Sequence, residues 1–349
     1  MRAPDSTRRA LLGALAGASA AWLTAPALAG PAPALRDRRA LMGTWVDLTL
    51  DGAPAATLAA ARDAAWAEME RLAAMMSRYV PGNPLDRVQQ AAGREPVAVP
   101  REMLRVMQAA QALAKSTQGA FDITVGALGW QFDETQRFKL PTARQIQSEL
   151  RFVNYRDLVL NHCECSAWLK RAGMKLDLGG VAKLPILAAG LAAAVQAGAP
   201  AAMVNGGGDV LVRSAPGGRE WRIGIRDPLA PDRLLAVLPL RQGVVASSGD
   251  YERGVTLDGR RWHHVLDPAT GYPTAGVRGV TLVGEGVDAV NGLGTAAMVM
   301  GPQRGADLLA GTPARQALLV RADGGLWASP GLAARLQPPP GARRVRGLA

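Results

Sequence analysis

The pattern of hydrophobic and polar positions predicts helices first and strands later. Apolar and polar residues alternate over 41–50 after Gly43, which predicts a strand. Apolar residues recur every three or four positions over 55–76 and 100–115, which predicts two amphipathic helices. Short apolar runs separated by turn residues then predict strands over 201–204, 210–213, 221–226, 236–240 and 277–283, followed by a helix over 287–300.

This order predicts an α+β fold with a mixed, largely antiparallel sheet and flanking helices. No repeat or linker divides the chain, so residues 30–335 are expected to form one domain. Residues 119–128 are expected to be a loop, and 132–148 a surface excursion with a short helix. The proline- and arginine-rich end, 336–349, is expected to be a disordered basic tail.

The stretch 175–183 is the one around which the chain is organised. Alternation over 174–178 predicts the end of a strand, Gly179-Gly180 a backbone turn, and the Ala- and Leu-rich residues after Lys183 a helix. Backbone N–H groups and a helix dipole could bind a phosphate there. Lys183 would add positive charge, and Asp177 could hold a hydroxyl, a ring N–H or a metal. An ordinary strand-to-helix turn with a solvated lysine is consistent with the same residues. Other motifs are needed to distinguish it from a phosphate site.

Composition narrows the partners. The chain has 349 residues, a hydrophobic fraction of 48% and a net charge of +11, which favours anionic partners such as nucleotides. Its arginines are scattered and no basic stripe alternates with aromatics, so nucleic acid is not an expected partner.

The first residues predict export. Arg8-Arg9 precedes an apolar run over 10–29 that ends in Ala27-Leu28-Ala29, the pattern of a cleaved twin-arginine signal peptide over 1–29. An uncleaved anchor helix is the alternative. No other segment is expected to span a membrane, so the mature protein is expected to be periplasmic, with no stable membrane insertion after cleavage.

The two cysteines lie in His162-Cys163-Glu164-Cys165. Their spacing is too short for the usual Cys-x-x-Cys metal grip and no second cluster exists, which disfavours a metal site. A strained disulfide and two plain side chains both stay open.

Seven motifs occur in a characteristic order along the chain. They are Met42-Gly43-Thr44, Ser77-x-Tyr79, Gly119-Ala120-Phe121-Asp122-x-Thr124-Val125-Gly126, Asp177-Leu178-Gly179-Gly180-Val181-Ala182-Lys183, Asn205-x-Gly207-Gly208-Asp209, Ser248-Gly249-Asp250-Tyr251-Glu252-Arg253 and His264-x-x-Asp267-Pro268-x-Thr270-Gly271. In this order they make the chain resemble the ApbE-type FAD:protein FMN transferases.

The resemblance implies a T-fold-like α+β fold that binds FAD in a cleft. With Mg²⁺, family members move the FMN half of FAD onto a Thr or Ser hydroxyl of a target protein and release AMP. By matching position, the residues implied to line the FAD site are Met42, Tyr79, Ala120, Phe121, Asp122, Asp177, Lys183 and His264. His264 would accept a proton near the pyrophosphate, with Asp267 orienting it. His263 is a competing candidate, for which a strand-surface imidazole is the simpler interpretation.

The implied metal site departs from the family pattern. Its ligands would be the Gly180 carbonyl, Asn291 and Thr295, the last two on one helix face, but the family has Asp where this chain has Asn291. The change removes a full negative charge, which weakens the attraction for a hard dication. Asp288 does not occupy the family position. Pro185 is a second departure, expected within the first turn of its helix.

Three hypotheses follow. The first is an exported FMN transferase acting on an exported or membrane redox protein that carries the acceptor Thr or Ser. The second is a flavin-binding accessory or maturation protein of a respiratory complex, for example in nitrous oxide respiration, with weak or no transferase activity; Asn291 motivates it. The third is an exported protein that kept the fold and lost the ligand, against which Asp122, Asp177, Lys183 and His264 argue.

Overall fold

A computed structural model describes residues 34–132, 138–257, 259–311, 316–342 and 345. The predicted signal peptide over 1–29 lies outside these residues and stays a prediction.

Strands and helices follow the predicted α+β order. The strands in the described residues are β1 (Leu35–Leu41), β2 (Thr44–Asp51), β3 (Val97–Ala98), β4 (Gln131–Phe132), β5 (Phe138–Lys139), β6 (Leu158–Asn161), β7 (Ser166–Leu169), β8 (Ala201–Gly206), β9 (Asp209–Ser214), β10 (Trp221–Asp227), β11 (Ala230–Leu240), β12 (Gly243–Gly249), β13 (Gly254–Leu257), β14 (Arg260–His263), β15 (Val277–Gly284), β16 (Gln316–Arg321) and β17 (Leu326–Ala328). The helices are α1 (Ala55–Met76), α2 (Pro84–Gln90), α3 (Arg101–Ser116), α4 (Ala143–Leu150), α5 (Gly179–Gln196), α6 (Leu293–Met300), α7 (Pro302–Ala310) and α8 (Pro330–Ala333).

One eight-stranded sheet runs in the order β1-β2-β8-β9-β12-β15-β16-β17, and each neighbouring pair is antiparallel. Side chains alternate between its two faces. Leu211, Val244 and Leu282 join the core under the helices, whereas Val212 and Val245 join a second core covered by β10 and β11. Helices, sheet and hairpin therefore form successive layers, and the predicted fold class is confirmed.

Helix α1 has the predicted bounds and lies against α5. Its buried face includes Leu58, Ala65 and Met69. The close approach depends on Gly190 of α5, where a Cβ would lie 2.4 Å from Met69 Cγ. Helix packing thereby fixes the direction in which the amino-terminal end of α5 points.

The beginning of α5 differs from the prediction. The alternation over 174–178 does bury Met174, Leu176 and Leu178, but the segment makes one isolated parallel bridge, Val125 to Lys175, instead of a strand. The helix begins at Gly179, so the diglycine forms its first turn rather than a turn before it.

Two further helix predictions are wrong. Pro185 lies inside α5, not in its first turn. The helix predicted over 287–300 is interrupted, because a short 3₁₀ turn, Val287–Ala289, is separated from α6 at Leu293 by Gly292, whose φ is 72°. The spacing of apolar residues continues through Gly292, but the left-handed backbone of this glycine breaks the helix.

The carboxyl-terminal tail is ordered at its start. Backbone N–H groups of Val237 and Gln337 donate to each other's carbonyls at 2.9 and 2.8 Å. The prediction of disorder from residue 336 is therefore wrong for these first residues, since the chain pairs there with β11.

By length and composition, α5 is one helix in the described residues that could cross a membrane, with a mean hydropathy of 1.4. The expectation that only the amino-terminal run has this property is therefore wrong. Eight α5 residues are nevertheless buried, among them Leu184 and Leu187 in the main core, as in the core helix of a globular fold.

The cysteines lie in the turn between β6 and β7 and are both free thiols. Cys163 is exposed, and Cys165 is half-buried with a φ of 48°. Within the described residues, no group of three or more His, Cys, Asp or Glu side chains is placed to hold a metal ion.

Candidate active site

A two-residue turn, Met42-Gly43, joins β1 to β2 at one side of the candidate site. Both residues have positive φ, 54° and 68°, as the turn of a tight hairpin requires. A left-handed conformation is uncommon for methionine and costs about 1 kcal/mol. Strain of this kind persists where surrounding contacts fix the backbone, and it is concentrated at functional sites.

The turn that joins β8 to β9 lies beside the β1–β2 hairpin. Gly207 and Gly208 have φ of 59° and 92°, and the Gly207 N–H donates to the Trp45 carbonyl at 3.3 Å. A Cβ at Gly207 would lie 2.7 Å from Thr44 Oγ1. Both glycines have a backbone conformation that other residues adopt only with strain, and the close neighbour of Gly207 is the protein itself.

Lys183 connects α5 to this turn. Its Nζ lies 2.8 Å from Asp209 Oδ2 and donates to the Gly206 carbonyl at 3.4 Å. Asp209 is buried, and its Oδ1 accepts from the Ser247 N–H at 2.9 Å. Lys183 is therefore held in place by a buried carboxylate, which the motif Asn205-x-Gly207-Gly208-Asp209 contains but to which sequence reasoning assigned no role.

Asp177 is paired with an arginine that sequence reasoning missed. Arg78 Nη1 donates to Asp177 Oδ2 at 2.7 Å, and Asp177 Oδ1 accepts from the Gly179 N–H at 2.8 Å. Arg78 occupies the unassigned position of Ser77-x-Tyr79, and its guanidinium lies 5.6 Å from the centre of the Tyr79 ring. Tyr79 is 76% exposed, so it could cover a flat ligand.

The loop predicted over 119–128 lies against the start of α5. The Phe121 ring is buried where a Cβ at Gly180 or at Gly292 would come within 3.3 Å of its Cε2 atom. Small residues at both positions are therefore required by the ring. Ala120 is half-buried beside it.

Asp122 is buried and its oxygens serve the loop itself. Oδ1 accepts from the backbone N–H and the hydroxyl of Thr124 at 2.8 and 2.7 Å, and Oδ2 accepts from the Tyr155 N–H at 2.8 Å. Burial raises the pKa of this carboxyl, against the opposing effect of those hydrogen bonds. These contacts make Asp122 a residue that shapes the loop, and its predicted contact with FAD stays a prediction.

His264 is positioned by Arg253. Its Nδ1 lies 3.3 Å from the Arg253 carbonyl, which can only accept, so the proton of the neutral ring is at Nδ1 and the lone pair at Nε2. The Arg253 guanidinium donates to the carbonyls of Met42 and Gly43 at 3.2 and 3.3 Å. Arg253 therefore joins the strained hairpin turn to the histidine, a role that sequence reasoning missed.

Burial and the positive charge of Arg253 lower the pKa of His264 to about 3, with smaller contributions from His263 and Lys183. The imidazole is therefore neutral at physiological pH, as a proton acceptor must be.

His263 is buried, so its interpretation as a strand-surface imidazole is wrong. The Val265 N–H donates to its Nδ1 at 3.3 Å, and its Nε2 donates to the Thr274 carbonyl at 3.0 Å. Burial lowers its pKa. Both nitrogens serve backbone groups, which makes His263 a structural residue and leaves His264 as the stronger candidate for proton transfer.

Asp267 stabilises its own turn. Its Oδ1 accepts from the Ala269 N–H at 2.9 Å and its Oδ2 from the Thr270 hydroxyl at 3.2 Å. The Arg253 carbonyl contacts His264 Nδ1, and the expected role of Asp267 in orienting His264 stays a prediction.

The residues expected to bind metal make a neutral set. Asn291 precedes α6, so it does not share a helix face with Thr295 as predicted. Its Nδ2 donates to the Val181 carbonyl at 2.8 Å, next to Gly180. Asp288 is exposed in the 3₁₀ turn. An amide, a hydroxyl and a carbonyl provide oxygen but no carboxylate, which Mg²⁺ sites in proteins normally include. These residues therefore do not fit a resident Mg²⁺ ion.

The contacts above connect four backbone segments into one site: the β1–β2 turn, the β8–β9 turn, the first turns of α5, and the segment of Arg253 and His264. Fold and site together are those of a protein whose candidate site is built from turns that meet at one end of an antiparallel sheet. The model of the ApbE family matches residues 42–319, and the chain belongs to this family. The resemblance drawn from the motifs is confirmed.

Curated relatives carry the name FAD:protein FMN transferase. One from Treponema pallidum is 31% identical over 305 residues, which cover 81% of this chain and 83% of the relative. One from Klebsiella pneumoniae is 34% identical over 189 residues, covering 53% of this chain and 58% of the relative. One from Rhodobacter capsulatus is 28% identical, covering 89% of this chain and 60% of the relative. The match thus spans under two thirds of the length of the last two.

Solved structures agree with the fold. The ApbE protein from Thermotoga maritima has a TM-score of 0.78 at 29% identity, covering 87% of this chain and 100% of that chain. The flavin transferase ApbE from Vibrio cholerae has a TM-score of 0.72 at 26% identity, with the same two coverages.

Proposed function

We propose that this protein is an FAD:protein FMN transferase that moves FMN from FAD to a Thr or Ser hydroxyl of another protein and releases AMP. The observation that carries the proposal is the convergence of Lys183 and His264 on one loop cluster. Lys183 lies 2.8 Å from Asp209 at the β8–β9 turn. That turn contacts the β1–β2 hairpin, and Arg253 joins the hairpin turn to His264. The relatives' shared name supports the same activity.

The proposed reaction is a phosphoryl transfer. The acceptor oxygen forms a bond to the phosphorus of the FMN half, and the bond from that phosphorus to the bridging oxygen breaks. AMP leaves with the bridging oxygen. The proton of the acceptor hydroxyl goes to Nε2 of His264, whose lone pair lies there because Nδ1 is protonated against the Arg253 carbonyl. Lys183 and the positive amino-terminal end of the α5 dipole would stabilise charge on the phosphates.

Magnesium was expected from the resemblance, and the donor set around Asn291 lacks a carboxylate. The proposed steps therefore use only the protein's own groups. The dependence of FMN transfer on magnesium is tested in the assay below. The same neutral donor set favours the second candidate function, a flavin-binding accessory protein of a respiratory complex with weak or no transfer.

The predicted twin-arginine signal peptide and its Ala27-Leu28-Ala29 cleavage pattern support a periplasmic location. We therefore propose an acceptor among exported or membrane redox proteins, recognised through an exposed Thr or Ser.

The test is to incubate the purified protein with FAD, Mg²⁺ and an acceptor domain carrying the threonine, and to follow the acceptor's mass and AMP release. Transfer is expected, with loss of at least about a hundredfold in His264→Gln, the contribution of a general base. A chelator arm measures metal dependence. Bound flavin without any FMN mass gain would contradict the transferase and support the accessory protein. Lys183→Ala should weaken FAD binding; unchanged affinity would contradict the phosphate placement.

A further inference from the structure

We propose that Asn291 and Pro185 are a compensating pair: the Asn291 amide replaces the hydrogen-bond donor that Pro185 removes from α5. The two departures from the family pattern would then be one structural adaptation. The hydrogen-bond part of the proposal is independent of the proposed function; its consequence for metal binding rests on that function.

Pro185 creates the deficit. Helix α5 runs from Gly179 to Gln196, and Pro185 lies inside it. In an α-helix the N–H of residue 185 would donate to the carbonyl of residue 181. Proline has no N–H, and its ring presses against that same carbonyl. The Val181 carbonyl therefore loses its donor within the helix.

Water is not available as a replacement donor for the Val181 carbonyl, because the residue is shielded from solvent. Its side chain is buried, with 2% exposed, in the main hydrophobic core. A buried carbonyl left without a donor costs free energy comparable to a lost hydrogen bond. Asn291 Nδ2 donates to this carbonyl at 2.8 Å. Because a carbonyl only accepts, the atom that faces it must be the amide nitrogen, and an aspartate at 291 has no donor to offer at neutral pH.

The backbone around Asn291 is built for this contact. Gly292 has a φ of 72°, and a Cβ there would lie 3.1 Å from Val181 Cγ1 and 2.6 Å from Leu113 Cδ2. The Asn291 N–H also donates to the Val287 carbonyl at 2.9 Å. A glycine in left-handed conformation thus lets the turn approach the proline-altered part of α5 closely enough for the amide to reach it.

The pair has a consequence for engineering the metal site. Asn291→Asp restores the family carboxylate, but it also places a negative oxygen against the Val181 carbonyl and removes that carbonyl's donor. Pro185→Ala supplies an N–H at residue 185 that could take over the bond. A carboxylate at 291 should therefore be tolerated only after the proline has been replaced.

The test is a double-mutant cycle of Pro185→Ala and Asn291→Asp, with unfolding in urea measured on the flavin-free protein. With Pro185 in place, Asn291→Asp should raise the unfolding equilibrium constant by about tenfold, the cost of an unsatisfied buried acceptor. In the Pro185→Ala variant the same change should have an effect of about twofold or less. Equal effects of Asn291→Asp on the unfolding equilibrium constant in both backgrounds would contradict the proposed compensation between Asn291 and Pro185.

Two matched controls separate this result from generic effects. In Asn161→Asp the side-chain oxygen that accepts from the N–H groups of Cys163 and Glu164 is kept, so stability should be unchanged in either background. Pro302→Ala replaces a proline at the start of α7, where proline removes no hydrogen bond within the helix. This variant should therefore leave the effect of Asn291→Asp unaltered. A coupling between Asn291→Asp and Pro302→Ala would contradict the local origin.

A second readout uses Mn²⁺ binding, measured by electron paramagnetic resonance without flavin. The double variant should bind Mn²⁺ at least about fivefold more tightly than Asn291→Asp alone, because its carboxylate is no longer held against an orphaned carbonyl. Equal affinities would overturn the metal consequence. A negative result in the FMN-transfer assay would not change the double-mutant cycle measured in urea. The two proposals can therefore be contradicted independently.

Discussion

Two diglycine segments look alike in the sequence and are used differently in the structure. Gly179-Gly180 has ordinary helical backbone and forms the first turn of α5, where a Cβ at Gly180 would lie 3.3 Å from the Phe121 ring. Gly207-Gly208 has φ of 59° and 92° and turns the chain between β8 and β9. The first segment needs glycine for space, and the second needs it for conformation.

The difference shows what a glycine motif can and cannot predict. Both segments flank the predicted phosphate site, and Lys183 of α5 reaches Asp209 at the end of the second. Substitutions should therefore separate three contributions: the ion pair that joins the segments, the backbone conformation, and the space beside Phe121.

The largest effect is expected for the ion pair. Lys183→Met leaves the buried Asp209 carboxylate without its cation and should destabilise the protein by about 3 kcal/mol, because an uncompensated buried charge is costly. Urea unfolding measures this. The double variant with Asp209→Asn should recover most of the stability without recovering FAD affinity. Failure of the double variant to regain stability would mean that Lys183 acts through something other than this pair.

Gly207→Ala is expected to cost about 2 kcal/mol, because alanine in the left-handed region is strained and its Cβ would meet Thr44. Thermal unfolding measures the loss. Gly208→Ala is the matched control: it has positive φ too, but its Cβ would have its nearest neighbours at 3.7 Å. It should cost less, and an equal or larger loss would show that conformation alone matters here.

Gly180→Ala should change stability by no more than about 0.5 kcal/mol, because the gain in helix propensity offsets the tight contact with Phe121. Its effect should instead be seen in FAD affinity, measured by flavin fluorescence, since the added methyl group moves the ring that the resemblance places in the flavin site. A loss of stability as large as that of Gly207→Ala would erase the distinction between the two segments.

The last effect appears only as the pH is lowered, and it concerns His264. The pKa of His264 is about 3 in the folded protein, below its value of about 6.5 in an unfolded chain. The unfolded state therefore binds more protons between these values, so the stability contribution is complete above about pH 6.5 and is lost as pH falls towards 3. His264→Gln should flatten this slope in urea titrations at several pH values. An unchanged slope would mean that His264 titrates normally in the fold.

Periodic patterns predicted the elements well where one face is buried. Helix α1 has the predicted bounds because its apolar stripe continues over its whole length. The predicted helix over 287–300 failed because a period cannot reveal the left-handed backbone of Gly292. Residues 174–178 alternate between buried and exposed positions without a neighbouring strand, since pairing is a tertiary property.

The site could be predicted only as a set of motif positions. Arg78 occupies an unassigned position of its motif, and Arg253 acts partly through its carbonyl, which side-chain identity does not encode. The sequence does not distinguish the adjacent residues His263 and His264. Their burial and their hydrogen-bond partners do. Asn291 looked like a weakened metal ligand until the Val181 carbonyl showed what it contacts.

Strand β1 forms one border of the eight-stranded sheet, with Arg36 and Arg38 exposed along it. A border strand offers unpaired backbone groups to any extended peptide, and positive charges discourage such pairing. Arg38 also pairs with Asp47 on β2. Part of the protein's excess of arginine thus guards against edge-to-edge aggregation, a protection that matters at high local concentration.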